Sequence, residues 1–320
     1  MSAPTPTILV VHHSADLDGI CSREVARRAL SGAADYLGWD YGQSIPDLSP
    51  YSTVYLIDIS FPRPVMEKHA GKLIWIDHHK SAISDMEGLD IPGYRIDGVA
   101  ACRLAYQWFL YEWRQSLGMI WMLPDKRSYV DGAVEEPYAV KLLGEYDIWD
   151  KRDPNTDPFQ LGMLGQKTPN WPLLLRLQTE AGPGEEHIQP HYLEEIITAG
   201  RAIQAFTEVT NAQISVERGF DVTWEGLNFR ALNTARCNSM TFAAALRPEH
   251  DACLAYFWNG SKWKVSLYHA PGKEHHDLSL IAAKHGGGGH RGACGFSLDN
   301  IPSAWGGFRW KDSDFAGHPL

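Results

Sequence analysis

No apolar run in this 320-residue sequence approaches the roughly 20 residues that span a bilayer, which excludes an ordinary transmembrane helix and any membrane partner that depends on one. The first seven residues are polar, with no basic stretch leading into an apolar core, so no secretory signal is expected there. Cysteine is scarce. Cys21, Cys102, Cys237, Cys253 and Cys294 are scattered and never spaced C-x-x-C. That pattern argues against a zinc–thiolate site and for reduced thiols in the cytoplasm. Basic residues are outnumbered, 29 Lys and Arg against 39 acids, and no Lys/Arg-rich run exists. A protein that coats long duplex nucleic acid presents a strongly basic face. The net charge of -10 therefore argues against such a partner. A nucleic-acid substrate would be short and held by a local site. No internal repeat is found.

What is present fits a globular enzyme of roughly two domains. Thr7 to His12 reads as a buried strand, Asp16-Leu17-Asp18-Gly19 as a turn, and Ile20 to Ser31 as a helix. Val54 to Ile59 and Lys72 to Asp77 are further strands, separated by a helix-length segment from Pro62 to Ala70. This alternation predicts a parallel α/β sheet. Val99 to Leu117 and Pro137 to Tyr146 read as helices. After a stretch rich in Pro, Gly and polar residues, His191 to Arg218 reads as a long helix, with Leu193, Ile196, Ile197, Ile203, Phe206 and Val209 at helical spacing. From about residue 215 a second, smaller α/β domain is expected. Its strands are Phe220 to Trp224, Phe229 to Leu232, Ala252 to Trp258, Trp263 to His269 and Cys294 to Leu298. Its helices are Ser239 to Leu246 and Leu278 to His285. Of the twelve tryptophans, some could stack on bases, but most, such as Trp108 and Trp113, are read as core.

Ligands of an open parallel sheet bind beyond the carboxyl ends of its strands. His12, Asp16, Asp18, Asp58 and the run Asp77-His78-His79 all fall there. Taken singly, Asp58 is an ordinary helix cap and His12 an ordinary core histidine. Together, that many carboxylates repel one another unless cations neutralise them. Mixed Asp and His ligation without cysteine suits Mn²⁺ or a related octahedral ion, with Mg²⁺ or Co²⁺ as alternatives. Six or seven ligands are too many for one ion that keeps room for water. Two ions roughly 3.5–4 Å apart, bridged by a carboxylate, are the usual arrangement for phosphoester hydrolysis. Asp147 is the candidate for a further ligand and Asp150 its rival. A second signal is the run Gly286-Gly287-Gly288-Gly289-His290-Arg291, whose glycines let a backbone approach a phosphate and whose His290 and Arg291 add donors. Leu267-Tyr268-His269 and the pair His275-His276 are placed in the same cleft.

At these residues the sequence resembles the DHH phosphoesterase superfamily over nearly its whole length. V-V-H-H-S-A-D-L-D-G, L-I-D-I, I-W-I-D-H-H and Y-D-I-W-D resemble its four motifs in order, and G-G-G-G-H-R-G-A-C-G-F resembles the glycine motif of the DHH-associated domain. The resemblance implies a catalytic domain over residues 1–190, a linker helix over 191–214 and a substrate domain over 215–320. It implies two Mn²⁺ ions held by His12, Asp16, Asp18, Asp58, His78 and Asp147, with Asp58 bridging. His79 would stand near the reacting phosphate, with Asp77 beside it in the catalytic set, and Gly288, Gly289, His290 and Arg291 would bind substrate. The Y-D-x-W form of the fourth motif is most similar to the nanoRNase branch. That implies 3'-5' hydrolysis of short single-stranded oligoribonucleotides to mononucleotides; a homodimer is a further expectation. The sequence departs from the family pattern at Ser14-Ala15, where relatives often carry proline, and at Tyr268, where many carry arginine. Competing readings are a cyclic-dinucleotide or nucleotide-bisphosphate phosphoesterase and a non-catalytic nucleotide-binding subunit.

Overall fold

Short apolar, β-branched runs pair side by side in the computed structural model, which describes residues 7–235 and 237–305. The first sheet holds β1 (Ile8–His13), β2 (Ala34–Trp39), β3 (Thr53–Ile57), β4 (Leu73–Asp77) and β5 (Gly93–Arg95), all parallel, in the order β2-β1-β3-β4-β5. The inner strands are covered on both faces, and this is why they read as unbroken apolar runs. Val10, Ile57 and Ile76 belong to one core cluster and Val11, Leu56 and Trp75 to another. Edge strands β2 and β5 lack such runs and were not anticipated.

The helices of this part are α1 (Leu17–Leu30), α2 (Arg63–His69), α3 (Lys80–Asp85), α4 (Ala101–Ser116), α5 (Lys126–Val130), α6 (Tyr138–Asp147), α7 (Thr156–Leu164) and α8 (Trp171–Leu174). α1 begins earlier than expected. Asp16 caps it by accepting from Gly19 N at 3.0 Å, so the expected turn is the first helical turn. Gly19 permits this start, because a Cβ there would lie 2.1 Å from His13 O. Trp108 is core, but Trp113 is 57% exposed, contrary to expectation. Five residues along α4 rotate it to the helix's other side.

The chain winds from β1 to β2 and then to β3 on the other side of β1. The reversal therefore lies between β1 and β3, where an open sheet forms its crevice. Register pairs His12 with Ile57 and Ile57 with Ile76. The residues just beyond, His13, Asp58 and Asp77, thus reach one sheet edge together.

The chain divides into two compact units, parting after Gln204. That point lies inside α9 (Ile188–Glu217). Leu193, Ile196 and Ile197 of α9 join the first unit's core, whereas Ile203, Phe206 and Val209 are exposed. The second unit carries β6 (Phe220–Trp224), β7 (Leu227–Asn233), β8 (Ala252–Trp258), β9 (Trp263–His269), α10 (Leu278–Lys284), β10 (Gly288–His290) and β11 (Ala293–Leu298). Its sheet runs β10-β11-β9-β8-β7-β6, with β7 and β8 parallel and the other pairs antiparallel. Ser239–Ala245, expected as a helix, is a 3₁₀ segment. No helix among the described residues is long and apolar enough to cross a membrane.

Candidate metal centre

Asp58 follows β3 with φ +63°, a left-handed conformation that costs a non-glycine residue energy and is concentrated at functional sites. Its carboxylate is almost fully enclosed and points its two oxygens at different neighbours. Oδ1 lies 3.3 Å from His78 Nε2 and 3.8 Å from His79 Nδ1, whereas Oδ2 lies 3.5 Å from His13 Nδ1. His13 Nδ1 is also 3.0 Å from Asp16 Oδ2. His78 Nε2 is 3.7 Å from Asp18 Oδ2 and 3.3 Å from Asp147 Oδ2. Asp147 comes from the end of α6. Three donor groups result: His13, Asp16 and Asp58; Asp58, His78 and His79; and Asp18, His78 and Asp147. Asp58 belongs to two of them, and His78 to two.

Electrostatics gives the cluster a deficit of positive charge. Burial lifts the Asp18 carboxyl well above the usual carboxylate range, and the charges of Asp58 and Asp147 lift it further. Asp18 nevertheless accepts hydrogen bonds from Ala101 N at 2.8 Å and Cys102 N at 2.7 Å, at the positive end of α4. Burial likewise raises Asp147, to about 7, against the opposing pull of His78. Burial would lower His78, yet Asp58, Asp18 and Asp147 push it up to about 10. Hydrogen bonding to Asp16 and Asp58 takes His13 to about 10 as well. Asp58 Oδ1 and Asp147 Oδ2 are enclosed and meet no donor in hydrogen-bond geometry. Cations would satisfy those oxygens and relieve the repulsion. The donor set, carboxylate and imidazole without thiolate, fits Mn²⁺ or Mg²⁺-like ions.

No protein-family model and no curated protein matches the sequence. Solved structures are similar to it. One is a pGpG-specific phosphodiesterase, PggH, from Vibrio cholerae, with TM-score 0.41 and 13% identity, over 91% of this chain and 93% of that one. Another is an exopolyphosphatase-related protein from Bacteroides fragilis, with TM-score 0.48 and 12% identity, over 92% of this chain and 88% of that one. A third is RecJ from Thermus thermophilus in complex with Mn²⁺, with TM-score 0.49 and 15% identity, over 92% of this chain and 50% of that one.

Of the expected ligands, Asp16, Asp18, Asp58, His78 and Asp147 come together, and His12 does not. His12 is buried, its Nδ1 lies 2.8 Å from His13 O, and burial lowers its pKa. The ring that meets Asp16 and Asp58 is that of His13. Successive side chains of a strand leave opposite faces, so only one of the pair reaches the cluster. Motif spacing pointed to His12, whereas the structure groups His13 with Asp16 and Asp58; the doubled histidine at the strand end was the one hint in the sequence. Asp150 is held by Arg152 through bonds of 2.6 to 2.9 Å and lies outside the three donor groups. Asp77, expected in the catalytic set, is fully enclosed. It accepts from His78 N, His79 N and Trp75 Nε1, and lies 2.8 Å from His79 Nδ1.

The expected substrate residues lie in the second unit. Gly288, Gly289 and His290 form the exposed edge strand β10. Gly289 has φ +132° and sits so close to β11 that a Cβ would lie 2.7 Å from Cys294 Cα. The Arg291 guanidinium donates to His275 O at 2.6 Å and to His276 O at 3.4 Å. Tyr268 donates its hydroxyl to Cys237 O at 3.0 Å.

Proposed function

We propose that the chain is a divalent-metal-dependent phosphoester hydrolase of the DHH type, acting on short single-stranded oligoribonucleotides with Mn²⁺ as its ion. The observation that carries this reading is Asp58, whose two oxygens face two separate groups of Asp and His donors. A carboxylate placed so is suited to bridge a pair of ions. His13 and Asp16 would complete one side, and His78, Asp18 and Asp147 the other. When bound, such a pair activates a water and neutralises charge building on the phosphoryl oxygens.

The chain's own groups do the rest. His79 is 29% exposed, and Asp77 fixes one of its ring nitrogens. Burial would lower its pKa, but hydrogen bonding to Asp77 raises it above the ordinary value, which favours a ring that can donate to a phosphoryl oxygen. Asp77 acts as a positioning residue. Gly288, Gly289, His290 and Arg291 of the second unit are proposed as substrate-binding groups. The chain's net negative charge supplies no track for a long backbone, whose affinity rests on phosphate neutralisation. All five cysteines are free, in keeping with a reducing, cytoplasmic setting.

The test is purified protein with Mn²⁺ and, separately, an RNA dinucleotide, 5-mer and 24-mer, a cyclic dinucleotide and a nucleoside bisphosphate. Fastest release of mononucleotides from the 2- to 5-mers is expected, an estimate from the short reach of small single-strand sites. Preference for the cyclic dinucleotide or the bisphosphate would replace the substrate assignment. No hydrolysis of any of them would overturn the reading.

A further inference from the structure

Beside the metal centre, on the side of β2, lies a cavity of about 570 Å³ walled by Trp39, Tyr41, Phe61 and Met86. Tyr41 follows the carboxyl end of β2 and is 57% exposed. A single exposed aromatic is ordinary. This one is held by its rim. Its hydroxyl accepts from Ser60 N at 3.3 Å and lies 3.5 Å from Ser60 Oγ, two residues beyond Asp58. Trp39 packs against it edge-on at 5.7 Å, and Phe61 packs edge-on against Trp39 at 5.1 Å. Trp39 is itself fixed by donating Nε1 to Ser44 O at 3.0 Å.

The wall is also tied to the cluster from the other direction. Asp40, next to Tyr41, accepts from Ser14 N at 3.0 Å and Ser14 Oγ at 2.9 Å, and lies 3.6 Å from His13 Nε2. The Tyr41 ring centre is 6.5 Å from that of His13, which meets Asp16 and Asp58. A rigid aromatic surface therefore stands one ring contact from the proposed ion-binding groups.

The cavity's chemistry selects among occupants. Its one guanidinium, Arg63, is already engaged with Glu67 at 2.8 Å and with the carbonyls of Asp85 and Glu87. Asp85 and Gln43 line the same space. A second phosphate would find no uncommitted cation among the lining residues. A flat, neutral heterocycle would find the Tyr41 ring and polar residues beside it.

We propose that this cavity is a nucleobase subsite, in which Tyr41 stacks on the base of a nucleotide joined to the scissile phosphate. The inference rests on the proposed phosphoesterase reading and adds to it a preference for nucleoside esters over other phosphoesters. Base–aromatic stacking tolerates any base, so the subsite reads the presence of a base rather than its identity.

The experiment compares kcat/KM of the full chain with Mn²⁺ on a dinucleotide and on two analogues, each with one nucleoside replaced by an abasic sugar. About a tenfold preference for the intact dinucleotide over one analogue is expected in the wild type, within the range that single-base stacking supports. Tyr41→Leu, which keeps apolar bulk but has no π-face, should bring that ratio below about twofold, and Tyr41→Phe should retain it. Equal rates on all three substrates in the wild type, or an undiminished ratio in Tyr41→Leu, overturns the subsite while leaving the hydrolase assignment intact. Should the wild type cleave none of the three, the hydrolase assignment fails by itself. Saturation-transfer NMR with adenosine then decides the subsite: ring contacts in the wild type that vanish in Tyr41→Leu support it, and their absence in the wild type overturns it.

Discussion

His79 Nδ1 lies 2.8 Å from Asp77 Oδ1, and the other Asp77 oxygen accepts from Trp75 Nε1 at 3.0 Å. The histidine at the open side of the cluster is thus aimed by a carboxylate that cannot itself meet solvent. Asp77→Asn removes the charge and keeps the shape. Its kcat should fall about 10- to 100-fold, the usual effect of losing an orienting partner. KM and bound metal should change little. His79→Ala should lose about 10²–10⁴ in rate, as for a proton-transferring group, and keep its ions. Elemental analysis separates the roles: loss of a whole ion in His79→Ala would make it a ligand.

Asp58→Ala removes the one carboxylate shared by two donor groups. Turnover should drop below detection, and the protein should bind fewer Mn²⁺ ions by isothermal titration. The fold should survive, since the change relieves a crowded set of like charges, although alanine inherits the left-handed backbone at this position. Near-normal activity with Mn²⁺ present would refute the bridging role.

The two histidines at the end of β1 should separate cleanly. His13→Ala should weaken Mn²⁺ binding by at least tenfold. His12→Ala should keep Mn²⁺ binding and instead lower the thermal midpoint, because it opens a hole beside β2 and β3. The reverse pattern would restore His12 as the ligand.

Metal binding should be strongly pH-dependent. In the metal-free protein His13 and His78 titrate near 10 rather than at their ordinary 6.5. Their protonated forms stabilise the apo fold fully below about 6.5, and that contribution fades as pH rises through about 10. Metal displaces those protons, so its affinity moves the other way, rising with pH and falling as pH drops. Calorimetry in buffers of different ionisation enthalpy should show proton release on Mn²⁺ binding near pH 7. Proton uptake, or pH-independent affinity between pH 6 and 8, would contradict the cluster described here.

Much of this protein was determined by its sequence alone. The buried runs around Val10, Ile57 and Ile76 dictate a parallel sheet, because strands covered on both faces must be apolar throughout. Chemistry at their carboxyl ends follows, since Asp16, Asp58 and His78 all sit just past such runs. Local patterning was silent on the edge strands β2 and β5, which carry no such signal, and so it could not show that β2 brings Tyr41 beside His13. Spacing named His12 and left Asp147 open against Asp150, whereas in the structure His13 and Asp147 join the donor groups. Those choices turn on which way a side chain leaves its strand and on what α6 and Arg152 place nearby. Sequence spacing is measured along one chain, whereas ligation and repulsion depend on distances across several elements. Only the packed structure could decide that Asp58 faces two donor groups at once.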